Sequence, residues 1–158
     1  MHIHNFLKLL ITMSLSLLAG AVGSFFTVSA VQEWYPILIK PALNPPSWIF
    51  APVWTVLYIL MGISAFLVWK RGGELKNVAL PLSLFAMQLV LNALWSIVFF
   101  GMHNPKLAFF EILLLWIAIL ATIISFMKIS KLAGWLLVPY LLWVSFASYL
   151  TFAIWMLN

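Results

Sequence analysis

The chain has 158 residues, of which 66% are hydrophobic and only 7% are charged. Soluble domains are roughly a quarter charged, so this composition excludes a soluble globular enzyme and a disordered chain. The formal net charge of +5 comes from eight Lys and Arg residues dispersed between apolar stretches. Nucleic-acid binding needs cations clustered on one face, so we expect no nucleic-acid partner. The distribution of Lys and Arg between the apolar stretches indicates instead how the chain is oriented in a membrane.

The sequence carries no motif for catalysis or metal binding. It has no Cys, which excludes disulfides, thiolate nucleophiles and Cys-ligated metals. A phosphate-binding glycine loop, GxSxG and HExxH are all absent. Three acidic residues in total are too few for a divalent-metal cage. We therefore expect no metal site and no required cofactor.

Five stretches with little or no charge are each long enough to cross a bilayer. A transmembrane helix needs about 20 mostly apolar residues, and the gaps between charged residues supply five such segments. The sequence therefore predicts an all-α integral membrane protein, a five-transmembrane-helix bundle that forms one domain over residues 1–158. The predicted helices lie near residues 6–29, 48–70, 78–100, 106–127 and 132–156.

The distribution of Lys and Arg predicts the orientation of this multi-pass bundle. The side that holds the N-terminus carries six cations, and the other side carries two, Lys40 and Lys106. The positive-inside rule then places the N-terminus in the cytoplasm and the C-terminus outside. The first segment could instead be a signal peptide, but its apolar stretch exceeds the roughly 7–15 residues of such peptides. We expect it to be retained as a span.

The first two helices differ in the faces that they present. Small residues at helical spacing in the first helix permit close packing against a neighbour. These residues are Ala19, Gly20, Gly23 and Ser24. The second helix carries an aromatic face, because its large side chains recur at helical spacing. That face is formed by Phe50, Trp54, Tyr58 and Met61.

The third helix carries polar groups on one face, a pattern that is costly inside a bilayer unless the groups have partners. The residues at this spacing are Gln88, Asn92, Trp95, Ser96 and Phe99. An amide beside an indole suits a flat ligand with polar groups at its edge. The alternative is that Gln88 and Asn92 simply join neighbouring helices by hydrogen bonds. The spacing alone leaves both interpretations open.

Glu111 lies about one turn inside the fourth helix, and no basic residue falls within four positions of it. It could reach Lys106 or His103 at the start of the helix, or lie protonated or hydrated near the interface. A helix N-terminus also favours a carboxylate. A structural role is therefore favoured over proton handling, since a single acid does not make a relay.

The fifth helix contains Pro139, which removes a backbone hydrogen bond and predicts a kink. A further aromatic face on this helix is formed by Tyr140, Trp143 and Ala147. Trp54, Trp95 and Trp143 are all expected below the interfacial belt, where an indole N–H needs a partner. Three such indoles favour a lined cavity, and core packing is the alternative.

A longer stretch identifies a family. The segment from Trp34, WYPILIKPALNPPSWIFAPVWTVLYILMG, resembles the signature of the tryptophan-rich sensory protein/translocator protein family, also called TspO/MBR or the peripheral benzodiazepine receptor family. Matching elements continue in QLVLNALWSIVFFG at 88–101 and PYLLWVSFASYL at 139–150. The resemblance covers nearly the whole chain.

This resemblance implies a five-helix bundle, typically a homodimer, with the outer loop 31–47 as the lid of a ligand cavity. Members of the family bind tetrapyrroles such as protoporphyrin IX and haem, and in many cases cholesterol and isoquinoline or benzodiazepine ligands. The matching positions imply a specific set of ligand-binding residues. They are Pro45, Trp48, Phe50, Trp54, Tyr58, Asn92, Trp95, Ser96, Tyr140, Trp143 and Ala147.

The chain departs from the family pattern in two places. The sterol-recognition pattern requires a Lys or Arg shortly after a Tyr, but no basic residue follows Lys131, so Tyr140 and Tyr149 both fail it. Small residues on the third helix form dimer contacts in bacterial relatives, and here they make only a weak version of that pattern. They are Ser83, Ala86 and Ala93.

Three functions follow as hypotheses. The first is a membrane receptor or carrier that binds protoporphyrin IX, haem or a similar flat hydrophobic molecule in a Trp-lined cavity. In this hypothesis, Asn92 forms hydrogen bonds with the ligand, and Lys40 near the lid attracts the ligand's acidic groups. The second is a light-dependent porphyrin-degrading enzyme, with Trp54 or Trp95 as the photochemical residue. The third is a structural or regulatory membrane protein whose cavity holds lipid.

Overall fold

The computed structural model describes residues 3–158, so the first two residues of the predicted domain lie outside the described residues. All regular structure within residues 3–158 is helical. Five segments are long and apolar enough to cross a membrane, which confirms the predicted five-helix membrane class. They contain six α-helices: α1 (Ile3–Glu33), α2 (Phe50–Gly72), α3 (Ala79–Ser96), α4 (Pro105–Met127), α5 (Lys131–Leu136) and α6 (Val138–Leu157).

The loop between α1 and α2 is shorter than the predicted 31–47. Helix α1 continues to Glu33 rather than ending near residue 29, because no Gly or Pro interrupts it before Pro36. The connecting segment is therefore residues 34–46, which we call the lid loop; it contains a short 3-10 turn at Tyr35–Ile37. A second 3-10 turn, Ser47–Ile49, leads directly into α2.

The fifth span is divided into α5 and α6, where the sequence predicted one kinked helix over 132–156. The division falls at Leu137, two positions before Pro139. Pro139 has no N–H to donate to the preceding turn, and the Leu137 amide instead closes a tighter turn on the carbonyl of Gly134 at 3.1 Å. The direction of α6, which carries Tyr140 and Trp143, is therefore set by this break.

The third span ends in a π-helical turn, Ile97–Gly101, rather than in regular α-helix. The Met102 amide donates to the carbonyl of Ile97 at 2.8 Å, a bond across five residues. His103 then adopts a left-handed backbone with φ of 52°. Asn104 caps α4 by accepting a hydrogen bond from the Leu107 amide at 3.1 Å. This turn closes the bundle beside the lid loop.

Glycines permit the close approach of α1 to its neighbours. A Cβ at Gly62 of α2 would lie 2.9 Å from the Cα of Met13, so the two helix backbones nearly touch there. A Cβ at Gly20 of α1 would lie 2.7 Å from the Tyr58 ring, and one at Gly23 would lie 3.1 Å from the Ser96 hydroxyl. The contacts of α1 with α2 and α3 therefore depend on small residues at these positions.

The core lies where α2, α4 and α6 meet α3. Its most deeply buried side chains come from α2, α4 and α6, and Phe85 and Leu89 of α3 are buried with them. They include Met61, Ala65 and Val68 of α2, Ile112, Leu115 and Ile119 of α4, and Tyr140 and Val144 of α6. Above this core, toward the lid loop, the helices separate and enclose a cavity.

Candidate functional site: a cavity beneath the lid loop

A cavity of about 540 Å³ lies beneath the lid loop, between α1, α2, α3 and α6. Small-molecule sites typically occupy roughly 300–1,000 Å³, so the cavity has the size of a ligand site. Its walls are mostly aromatic and apolar. Seven of the eleven sequence-predicted binding residues line it: Phe50, Trp54, Tyr58, Trp95, Ser96, Trp143 and Ala147.

The other four predicted residues, Pro45, Trp48, Asn92 and Tyr140, do not line the cavity. Trp48 lies on the 3-10 turn before α2 with 74% of its surface exposed, so its ring points away from the cavity. Pro45 belongs to the lid loop, where its carbonyl accepts a hydrogen bond from the side-chain Nδ2 of Asn44 at 3.3 Å. Asn92 and Tyr140 are buried behind the cavity wall.

A buried hydrogen-bond network accounts for Asn92 and Tyr140. Tyr58 lines the cavity, and its hydroxyl donates to Asn92 Oδ1. Asn92 Nδ2 donates to the Tyr140 hydroxyl at 2.8 Å, and that hydroxyl donates to Gln88 Oε1 at 2.7 Å. The polar face of α3 therefore joins α2 and α6, which is the helix-joining role that the spacing had left open. Only Tyr58 connects this network to the cavity.

Aromatic rings form two stacked pairs in the cavity wall. The Trp54 ring stacks on Tyr58 with centroids 5.6 Å apart and an interplanar angle of 29°. The Trp95 ring stacks on Phe99 at 5.1 Å and 16°. Offset stacking and edge contacts at these separations are favourable for aromatic pairs. Each of these lining rings is therefore held in place by an aromatic neighbour.

Two indole N–H groups of the cavity residues have no acceptor. Trp95 Nε1 and Trp143 Nε1 are buried, and neither donates a hydrogen bond within residues 3–158. By contrast, Trp116 Nε1 donates to the Ser145 hydroxyl at 2.8 Å. A buried donor without a partner costs about 1–3 kcal/mol. Both nitrogens are shielded from the cavity itself, so either N–H would reach a bound ligand only after a movement of its ring.

The lid loop contributes a phenol and a cation. The Tyr35 hydroxyl donates to Asn44 Oδ1 at 3.0 Å, and both residues line the cavity. Burial raises the pKa of Tyr35 above its ordinary value of 10.0, so the phenol remains a donor at neutral pH. Lys40 Nζ lies 4.8 Å from the Tyr35 ring centroid and donates to the Leu38 carbonyl at 3.0 Å. The positive charge predicted near the lid is thus held against a lining residue.

Sequence reasoning did not assign the α1 wall to the binding set. Leu17, Gly20, Ser24 and Thr27 line the cavity from α1. Their spacing is helical, but small residues indicate packing as readily as a cavity wall, and Gly20 serves both roles through its contact with Tyr58. Other lining residues missing from the predicted set lie in the lid loop and beyond. They include Tyr35, Asn44, Phe99, Phe100 and Thr151.

Glu111 and the metal-ligating residue types take no part in the cavity. Glu111 is buried in α4, and neither carboxylate oxygen has a hydrogen-bond partner in the described part of the chain. The sequence offered Lys106 as a partner, but Lys106 Nζ lies over the Trp155 ring, 5.9 Å from its centroid. Within residues 3–158, no group of three or more His, Cys, Asp or Glu side chains converges on a metal position.

The sequence matches a known membrane family. The model of the TspO/MBR family matches residues 12–156, which is most of the chain. The chain belongs to the TspO/MBR family. This confirms the resemblance found in the sequence, and it identifies the chain as an integral multi-pass membrane protein of the receptor and translocator type.

Relatives from bacteria, archaea and mammals share this similarity. The tryptophan-rich protein TspO of Chlorobaculum tepidum is 47% identical over 152 residues, which cover 96% of each chain. That of Archaeoglobus fulgidus is 46% identical over 154 residues, covering 98% of this chain and 99% of the relative. The human translocator protein is 40% identical over 135 residues, covering 85% and 80%. The match therefore includes the lid loop and all five spans.

Proposed function

We propose that this TspO/MBR member binds a tetrapyrrole, protoporphyrin IX or haem, in the cavity beneath the lid loop and acts as its membrane receptor or carrier. The observation that carries the proposal is a cavity of about 540 Å³ with a mostly aromatic and apolar wall, which includes Trp54, Trp95 and Trp143. Trp95 Nε1 and Trp143 Nε1 have no acceptor within residues 3–158, but both atoms are shielded from the cavity. We expect a bound ligand to shift the two rings and to accept hydrogen bonds from them.

The chemistry of a porphyrin fits this lining. A flat macrocycle gains dispersion and stacking against Trp54 and Trp95, and its carboxylates accept hydrogen bonds from indole or phenol donors. Lys40 beside Tyr35 adds a cation at the lid loop, although an exposed ion pair contributes little. With the N-terminus in the cytoplasm, as the Lys and Arg distribution predicts, the lid loop lies on the outer side of the membrane.

Titration of the purified protein with protoporphyrin IX in the dark tests the proposal. Binding is followed by the shift of the porphyrin absorption band, since that signal does not depend on the number of Trp residues. The decisive variant is Trp95→Phe/Trp143→Phe, which keeps two aromatic rings and removes both N–H donors. Two hydrogen bonds of about 0.5–1.5 kcal/mol each predict an affinity about ten- to a hundredfold weaker.

The matched control is Trp135→Phe, which changes an exposed indole outside the cavity. It should bind like the parent protein, with saturation near one ligand per chain. Empty micelles must be titrated in parallel, because porphyrins partition into detergent. Non-saturating binding that is identical in all three proteins would overturn the proposal and leave the aromatic walls as packing or as a lipid site.

A light-dependent enzyme acting on the bound porphyrin is the second candidate, favoured by the position of Trp54. Its ring stacks on Tyr58 and meets the Tyr140 ring edge-on at 6.2 Å, so an aromatic chain leads away from the cavity. Trp54→Phe and Trp95→Phe should then slow porphyrin loss under light and dioxygen without weakening dark binding equally. Unchanged photochemical turnover in both variants would leave binding alone as the function.

A further inference from the structure

Among residues 3–158, the cavity beneath the lid loop has one exposed side. Its lining residues on α3, on α6 and in the lid loop are all buried or partly buried. Every lining residue that is exposed lies on α1 or on residues 47–55, which lead into α2. They are Leu17, Ala21, Ser24, Val28 and Gln32 on the α1 side and Ser47, Ala51 and Thr55 on the other. We call this opening the α1–α2 seam.

The two sides of the seam are regular rows. On α1 the exposed lining residues recur every three or four positions from Leu17 to Gln32. On the other side they lie four positions apart, at Ser47, Ala51 and Thr55. Residues at this spacing lie on one side of a helix. Each helix therefore presents a single edge to the opening, and most side chains on the two edges are small.

The seam is closed at its lower and upper ends. Below it, the backbones of α1 and α2 nearly touch, because a Cβ at Gly62 would lie 2.9 Å from the Cα of Met13. Above it, the lid loop joins the two rows, and its Tyr35 is only 5% exposed and donates a hydrogen bond to Asn44. The lid loop thus covers the outer end of the cavity, whereas the seam leaves its flank open.

The open flank faces lipid. Both rows belong to segments that are long and apolar enough to cross a membrane, Ile3–Glu33 and Ser47–Gly72. The α1 row extends over about 22 Å at 1.5 Å per residue, and the hydrocarbon core of a bilayer is about 30 Å thick. Most of the opening therefore lies at the depth of the acyl chains. A molecule that enters here comes from the bilayer rather than from the aqueous phase.

The seam also carries hydrogen-bonding groups at a depth where acyl chains offer none. Ser24 and Gln32 lie on the α1 row, and Ser47 and Thr55 lie on the other. The Thr55 hydroxyl donates to the Ala51 carbonyl at 2.8 Å, which leaves its lone pairs free to accept. Polar side chains are unfavourable within a bilayer and mark substrate pathways. A lipid-dissolved molecule with a polar edge would find partners along both rows.

We propose that the α1–α2 seam is the entrance of the cavity, through which a flat amphiphilic molecule dissolved in the bilayer passes edge first. This inference rests on the proposed ligand binding in the cavity. Small side chains at Ala21, Ser24 and Ala51 let a thin ring system pass with little separation of the helices. The seam thereby selects membrane-dissolved ligands over molecules confined to water. Because the lid loop joins both rows, loosening that loop also lets the seam widen.

A reversible clamp across the seam tests this entrance. The chain has no Cys, so Val28→Cys/Ala51→Cys carries the only two thiols, and a bifunctional methanethiosulfonate reagent links them. The protein is placed in phosphatidylcholine vesicles and mixed rapidly with protoporphyrin IX, and dissociation is measured on dilution into excess empty vesicles. We expect the clamp to slow both rates by about tenfold or more, because a narrowed path raises the same barrier in both directions. Reduction of the linker should restore them.

The equilibrium constant separates an entrance from a ligand contact. Since both rates fall together, the dissociation constant of the clamped protein should stay within about threefold of that of the same protein after reduction. The matched control is Phe110→Cys/Phe152→Cys, which clamps α4 to α6 through two exposed residues that both contact Trp155 and lie outside the cavity. The control clamp should leave both rates unchanged. Protein-free vesicles give the rate at which the porphyrin enters lipid.

A second measurement needs no ligand. A spin label on Ala147→Cys reports from the α6 wall of the cavity. Its relaxation by dioxygen, which dissolves in lipid, is compared with its relaxation by a water-soluble nickel chelate. We expect dioxygen to reach the label and the chelate to be excluded. Leu114→Cys, exposed on α4, calibrates a lipid position, and Lys76→Cys, exposed in the α2–α3 turn, calibrates a water position.

Several results would overturn the proposal. Unchanged rates in the clamped protein, or thiols at positions 28 and 51 that the reagent cannot link, would show that the rows do not form the path. Relaxation of the cavity label by the nickel chelate as strong as at the water position would place the opening at the lid loop, and a label that neither agent reaches would mean a sealed cavity. If the parent protein does not bind protoporphyrin IX saturably, the proposed function fails by itself, while the spin-label result still decides whether the cavity opens to lipid.

Discussion

Asn158, which follows the last turn of α6, pairs with the backbone of Ile39 in the lid loop, 119 positions earlier in the chain. Its Oδ1 accepts from the Ile39 amide at 3.1 Å, and its Nδ2 donates to the Ile39 carbonyl at 2.8 Å. The same Nδ2 donates to the carbonyl of Ile154 at 2.8 Å. The lid loop is therefore tied to the helix that carries Trp143 and Ala147.

We predict that Asn158→Ala loosens the lid loop. Two hydrogen bonds of about 0.5–1.5 kcal/mol each hold Ile39 in place, so their loss should speed hydrogen exchange of lid-loop amides about tenfold. Release of a bound ligand should accelerate in parallel. Hydrogen exchange by mass spectrometry and stopped-flow dissociation of protoporphyrin IX measure the two effects.

Asn77→Ala is the matched control for this prediction. Asn77 is also an exposed Asn whose side chain bonds a backbone carbonyl, that of Gly72 at 3.1 Å, but it lies in the α2–α3 turn. Its replacement should leave lid-loop exchange unchanged. Equal exchange rates in Asn158→Ala and the parent protein would show that the lid loop is held by its other contacts, such as the Tyr35–Asn44 hydrogen bond.

The buried network around Asn92 yields a prediction that separates stability from affinity. Asn92→Ala leaves the Tyr58 hydroxyl without its acceptor and the Tyr140 hydroxyl without its donor, both buried. An unsatisfied buried group costs about 1–3 kcal/mol, so the free energy of unfolding should fall by about 2–4 kcal/mol. Because Asn92 does not line the cavity, protoporphyrin affinity measured well below the melting temperature should change only a few-fold.

The comparison variant is Trp95→Phe, which should weaken protoporphyrin affinity. It should change the free energy of unfolding less than Asn92→Ala does, because it leaves no buried polar group without a partner. Thermal unfolding in detergent and porphyrin titration are run on both proteins. A large loss of affinity with unchanged stability in Asn92→Ala would indicate that Asn92 reaches the ligand directly, contrary to the placement of its amide between Tyr58 and Tyr140.

The helices were predictable because membrane spans depend on a local property, about 20 apolar residues in a row. The division at Leu137 was also signalled locally, by Pro139. Contacts between distant segments were not predictable in this way. No periodicity links Asn158 to Ile39. The lid loop was predicted too long because the first Pro after α1, Pro36, lies three residues past the helix end at Glu33 and does not fix that end to the residue.

The candidate site was predictable at the level of helix faces but not of individual contacts. Helical spacing placed Asn92 and Trp95 on one side of α3. It could not show that the side-chain amide of Asn92 is hydrogen-bonded to two Tyr hydroxyls. That Trp95 Nε1 has no acceptor depends on every side chain around it, which a sequence pattern does not contain. The α1 wall was missed for a related reason, since Gly20 lines the cavity by lacking a side chain.

Gly62→Ala should destabilise the protein, because a Cβ there would lie 2.9 Å from Cα of Met13 and 2.8 Å from its sulfur. The first of these contacts is to backbone, so α1 itself must move. Overpacking of this kind costs about 1–3 kcal/mol, measured as a lower unfolding midpoint. Gly101→Ala is the milder comparison, since its nearest neighbour is the Phe26 side chain at 3.0 Å. Equal midpoints for the two variants would mean that the α1–α2 contact yields without cost.

Replacement of Glu111 by Leu should stabilise the protein. Both carboxylate oxygens are buried and lack a partner within residues 3–158, and burying an unpaired polar or charged group is unfavourable. A Leu of similar size removes that cost and should raise the free energy of unfolding by about 1–3 kcal/mol, measured by chemical unfolding in detergent.

Glu33→Leu is the control for this change, since Glu33 lies exposed at the end of α1, and surface substitutions usually stay within about 0.5 kcal/mol. If Glu111→Leu instead lowers stability by more than that amount, the carboxylate must have a partner that the polypeptide does not supply. Bound water or lipid would then be that partner, and Glu111→Gln, which keeps the hydrogen-bonding capacity without the charge, should recover part of the loss.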